Sequence, residues 1–87
     1  MSSAKENPAI KVTRVQTGVR IERRVLKVLK AIAENYDMTL GHLIEEIVLH
    51  VLEGKLPFTP ETLKKIDLIK SFYDLEFDAA MSHRFEE

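Results

Sequence analysis

The run "RVQTGVRIERRVLKVLK", residues 14–30, decides how the chain is read. In its first half Val15, Thr17, Val19 and Ile21 fall on one side, and Gln16, Gly18 and Arg20 on the other. That period of two, with β-branched residues on one side, is the pattern of a half-buried strand. From Val25 the period changes. Val25, Leu26, Val28, Leu29, Ile32, Ala33 and Tyr36 recur at helical spacing, with Arg23, Arg24, Lys27, Lys30 and Glu34 opposite them. No Gly/Pro/Asn cluster separates the two halves, so a strand is expected to run straight into a helix.

A strand must hydrogen-bond to something, and no second strand follows in this sequence. Even a two-stranded hairpin is marginal in water. The economical expectation is a second copy of the chain, its strand pairing antiparallel about a twofold axis, in an obligate homodimer. Val15, Thr17, Val19 and Ile21 would then lie in the dimer core, and Gln16, Gly18 and Arg20 would face outward. A two-stranded ribbon fits the major groove of B-DNA, where Arg pairs bidentately with guanine and Gln with adenine.

Downstream, "NYDMT" breaks the first helix, and Thr39 is a good N-cap for a second over about residues 40–53. Gly54 is placed to end that helix in the left-handed conformation. "GKLPFTP" reads as a linker, after which Thr59 and Pro60 start a third helix carrying Leu63, Ile66, Ile69 and Tyr73. Tyr73, Phe77, Met81 and Phe85 follow at intervals of four, a spacing that places them near one helical face.

Composition narrows the class. At 87 residues the chain is one domain, near the size where a lone core is marginal. The absence of cysteine excludes a disulfide framework and a thiolate metal site. The first residues lack the apolar stretch of a signal peptide, and no run is long enough to span a membrane, so the expectation is a cytoplasmic, nucleoid-associated protein. The net charge of −1 hides an asymmetry. Residues 1–30 hold eight basic and two acidic side chains, a net of +6; residues 31–87 hold five basic and twelve acidic, a net of −7. A basic first third suits a polyanion, and an acidic remainder suits a different surface.

Strand, helix and capped second helix, in the order "VQTGVRIERRVLKVLKAIAENYDMTLGHLIEEIVLHVLEG", resemble the ribbon-helix-helix family of MetJ- and Arc-type DNA-binding proteins over about residues 14–54. The resemblance implies a mainly α fold: one N-terminal strand pairing with its copy in an intertwined homodimer, two core helices, and here a third helix after them. It divides the chain into a flexible basic arm at 1–12, a dimerisation and DNA-binding domain at 13–54, and a linker, third helix and acidic-aromatic tail at 55–87. It implies that Gln16, Gly18 and Arg20 contact bases, and that Thr39, Leu40 and Gly41 hold a phosphate at the start of the second helix. Free N–H groups and the helix dipole favour an anion there. Arg14, Lys11 and Lys5 are either further contacts to phosphate or the minor groove, or a merely solubilising arm. Two positions depart from the pattern: Gly18 replaces a polar reader, and Glu22 puts an anion near the DNA face.

The function expected is that of a sequence-specific, dimeric transcriptional repressor of double-stranded DNA, with no cofactor. The alternative is an antitoxin or interaction module whose acidic tail binds a partner protein. His42, Glu46 and His50 have metal-compatible spacing along one helix, but no fourth ligand is evident, and an ordinary wet helix surface explains them. Catalysis has no support: Ser82 and His83 are adjacent, and there is neither a Gly-rich phosphate loop nor a recognisable carboxylate pair.

Overall fold

The computed structural model describes residues 8–87. Lys5 and the rest of the arm up to residue 7 lie outside the described residues. The described chain is helical: α1 (Arg23–Asn35), α2 (Leu40–Leu52), α3 (Pro60–Phe72) and a single turn, α4 (Ala79–Ser82).

The expected strand is not there. Residues 8–22 form neither helix nor sheet, and the described residues contain no strand at all, so the ribbon-helix-helix fold is overturned as a description of this chain. The reason is physical. Alternation fixes which side chains share a face, but strand hydrogen bonds close only on a neighbouring strand. Nothing among the described residues offers one. The segment instead runs along the surface without a turn or a left-handed residue, its side chains exposed as far as Arg20.

Helices need no such neighbour, and each of the three long ones carries its own start and stop. The Glu22 carboxylate accepts the Val25 N–H at 2.9 Å, which starts α1 two residues before the apolar stripe begins. Thr39 caps α2 through His42 N–H at 3.1 Å, and Thr59 caps α3 through Thr62 N–H at 3.1 Å with Pro60 in the first turn. The stops share one geometry. After α1, α2 and α3 come Asp37, Gly54 and Asp74, with φ of 55°, 75° and 57°. The residue beyond each donates back to the last helical turn: Met38 to Ala33, Lys55 to His50, and Leu75 to Lys70, at 2.8–3.0 Å. This is the Schellman closure, which satisfies carbonyls a helix end otherwise leaves free.

α1 is the central helix, packing against both α2 and α3. Its Val28, Ile32 and Ala33 meet Leu43 of α2 and Ile66 of α3, and these five form the buried core among the described residues. Met38, Phe58, Ile69, Tyr73 and Leu75 pack around them, so two of the three stop motifs fold an apolar side chain back onto the core. The Tyr36 hydroxyl donates to Thr62 Oγ1 at 3.2 Å, and Lys65 Nζ sits 5.6 Å from the centre of the Tyr36 ring, tying the end of α1 to the start of α3.

The interval-of-four series from Tyr73 to Phe85 does not lie on one helix. Asp74 turns the chain, residues 75–78 are irregular, and Asp78 starts α4 by accepting the Met81 N–H at 2.9 Å. Phe77 and Phe85 still meet edge to face, with ring centres 5.0 Å apart. No helix among the described residues is long and apolar enough to cross a membrane.

Candidate nucleic-acid interface

The segment before α1 is held to α2 by a fork. Arg14 Nε and Nη2 lie 3.0 and 2.9 Å from the two carboxylate oxygens of Glu45. A bidentate guanidinium–carboxylate pair is geometrically specific even where solvent reaches it. Its hydrogen bonds raise the Arg14 pKa and hold the Glu45 carboxyl below its ordinary range, with the charges of Arg14 and His42 adding to the effect on Glu45 and partial desolvation opposing it.

That fork sets the segment beside the N-terminus of α2, and a groove of about 770 Å³ lies between them. Arg14, Gln16 and Gly18 line one wall of the groove, and Leu40 and Gly41 line the other. Thr39 Oγ1 is taken up by the His42 N–H, and its carbonyl by Leu43 N–H at 3.0 Å. The first amides of a helix, here those of Leu40 and Gly41, have no intrahelical acceptor and so suit an anion. Thr39 faces a separate depression, shared with Lys30. Gly18 is not a glycine by steric necessity: a Cβ there would meet nothing within 4 Å.

The structure therefore brings together Arg14, Gln16, Gly18, Leu40 and Gly41 of the expected contacts, and leaves out the others. Lys11 is exposed and lines neither wall. Arg20 borders a different cleft, of about 580 Å³, beside Phe77, Phe85, Glu86 and Glu87, and its Nη1 is 3.1 Å from Glu87 Oε1. Of the expected dimer-core residues, Val15 and Val19 are 83% and 73% exposed, Thr17 is exposed and Ile21 is half-buried.

The histidines of α2 are engaged locally. His42 Nε2 is 2.9 Å from Glu46 Oε2 and its Nδ1 is 3.8 Å from Glu45 Oε1. His50 Nδ1 is turned onto the Glu46 backbone carbonyl at 2.7 Å. Among the described residues no group of three His, Cys, Asp or Glu side chains is arranged to hold a metal.

Sequence reasoning missed Glu22 as a cap, and Glu45 and Glu87 as partners of arginines. Glu22 could have been found, since it stands three residues before the first apolar position of α1. No local pattern pairs Arg14 with Glu45 or Arg20 with Glu87. No family model matches this chain, and no curated protein or solved structure matches it either.

Proposed function

We propose that this chain is a DNA-binding protein that acts as a homodimer, most simply a cytoplasmic, nucleoid-associated repressor of transcription. The observation that carries the reading is the groove lined by Arg14, Gln16 and Gly18 of the segment and by Leu40 and Gly41 at the start of α2. A phosphate seated at Leu40 and Gly41 would fix the duplex backbone beside Gln16, whose amide can pair with an adenine edge. Residues 1–30 carry eight basic and two acidic side chains, a balance that suits a polyanion. Support for a second copy comes from the small core. Only five side chains among the described residues are buried, while Val15, Val19, Leu49 and Leu52 are all more than half exposed. Apolar surface on that scale favours association.

Selecting bound sites from random duplex DNA tests this directly. Enrichment of a repeated site is expected, with Gln16→Ala losing about 1–3 kcal/mol of preference at one base position. Lys11→Ala should weaken all sequences alike and flatten the salt dependence by about one unit. Binding that stays unselective and indifferent to Gln16 would end the base-reading proposal.

A second reading draws on Leu68 and Phe72, one turn apart on α3 and 74% and 79% exposed, beside the acidic residues Asp67 and Asp74. An antitoxin-like module would use such a surface to hold a protein partner. Co-purification of one protein, abolished by Phe72→Ser with DNA binding intact, would favour it.

A further inference from the structure

Arg20 carries a guanidinium suited to a guanine edge, yet it faces a carboxylate of its own chain. The approach of residues 75–87 to it is organised. Asp74 turns the chain out of α3, Asp78 starts the α4 turn, and the edge-to-face Phe77–Phe85 pair closes residues 77–85 into a loop. That closure places Glu86 and Glu87 at the cleft bordered by Arg20, Ile21 and Glu22. The charged groups there are Arg20 and Arg84 against Glu22, Glu86 and Glu87, so the carboxylates outnumber the cations. A phosphate approaching Arg20 is repelled by them.

We propose that residues 75–87 are a built-in competitor for DNA, with Glu87, assisted by Glu86, occupying Arg20 until a duplex displaces it. The inference rests on the DNA-binding reading above. The Arg20 and Glu87 side chains are 85% and 77% exposed, so their contact is weak and quickly reversible. A competitor needs that property, because a buried pair would not yield to DNA. The consequence is a threshold: a ligand that replaces Glu87 with several phosphate contacts displaces the loop, and one offering a single charge gains little.

The test measures binding of a short random-sequence duplex by the full chain and five variants at fixed salt. Glu86→Gln with Glu87→Gln removes the competing charges. Glu61→Gln with Asp67→Asn removes the same charge from α3 and controls for net charge. Arg20→Gln is made alone and combined with the Glu86/Glu87 pair, and Phe85→Ala opens the aromatic closure without changing charge. The Glu86/Glu87 pair should tighten binding about two- to fivefold beyond the α3 control, the range of an exposed ion pair. In the Arg20→Gln background that excess should vanish, and Phe85→Ala alone should tighten binding in the same direction. An excess that persists without Arg20, or that merely equals the control, overturns the proposal while leaving the DNA reading standing. Absence of duplex binding by every variant overturns the DNA reading and the competitor with it.

Discussion

α1 and the segment that precedes it differ in what becomes of their apolar side chains. Both carry valines and isoleucine on one face by the spacing of their sequence. In α1, Val28 and Ile32 are 5% and 3% exposed; in the segment, Val15 and Val19 are 83% and 73% exposed. The difference lies in the backbone. A helix closes its hydrogen bonds within itself, so its apolar face is ready to pack as soon as it forms. An extended segment leaves every N–H and C=O open and must find a neighbour before its side chains have a fixed face. The teaching is that periodicity is sufficient for one and only a condition for the other.

Substitutions on the two faces test this with the largest effect. Ile32→Ala should cost about 2–5 kcal/mol in urea unfolding, independent of protein concentration, because it empties a site at the meeting of three helices. Val19→Asp should leave the helical content and unfolding of dilute protein unchanged, since Val19 is largely exposed among the described residues. If the proposed homodimer uses that face, Val19→Asp instead shifts sedimentation toward monomer. A Val19→Asp protein that loses stability at high dilution as Ile32→Ala does would show that the segment belongs to the core after all.

The same contrast accounts for what could be read from the sequence. Thr39, Thr59 with Pro60, and Gly54 announce helix ends locally: α2 and α3 begin directly after their capping threonines, and α2 stops at Leu52, two positions before Gly54. The apolar stripes of α1 and α2 supply Val28, Ile32, Ala33 and Leu43, and Ile66 comes from the third helix at its expected place. The strand was not legible because its hydrogen-bond partner is not a local property. Nor was the end of α3: Asp74 in the left-handed region interrupts a run whose interval of four otherwise suggests continuation. The candidate site was half legible. Gln16, Gly18, Leu40 and Gly41 do share a groove, but its register is set by Glu45, and Arg20 is drawn to Glu87, 67 positions later in the chain.

A middle-sized effect belongs to the helix stops, which the segment lacks. Asp37 and Asp74 hold φ near +55°, where a residue with a Cβ is strained and glycine is not. Asp74→Gly should therefore stabilise the chain by about 0.5–1 kcal/mol, provided the Leu75 return to Lys70 is kept. Gly54→Ala, the reverse change at φ 75°, should destabilise by about 1 kcal/mol, although a Cβ there meets nothing. Equal melting of Asp74→Gly and the parent would mean that the Asp side chain offsets the strain through a contact of its own.

The smallest effect concerns the fork that ties the segment to α2. Glu45 has its pKa lowered from an ordinary 4.5, chiefly by the hydrogen bonds from Arg14, so the fork is favoured when Glu45 is ionised. The sign follows from linkage. A depressed carboxyl contributes attachment that is fully present above its ordinary value and is lost as pH falls through its lowered one. Attachment of the segment should thus be constant near neutrality and fade in acid, while α1–α3, whose core is apolar, stay folded over the same range. Hydrogen exchange resolved along residues 13–17, or the Arg14 Nε–H resonance, reads the attachment; far-UV dichroism reads the helices. Glu45→Ala should reproduce the acid state at neutral pH, and Glu45→Gln should fall between, since a neutral amide keeps one acceptor for the guanidinium. Exchange in residues 13–17 that is indifferent to both pH and Glu45 would show that the groove beside α2 is held by something other than the fork, and the Val15 side of the segment would be the next place to look.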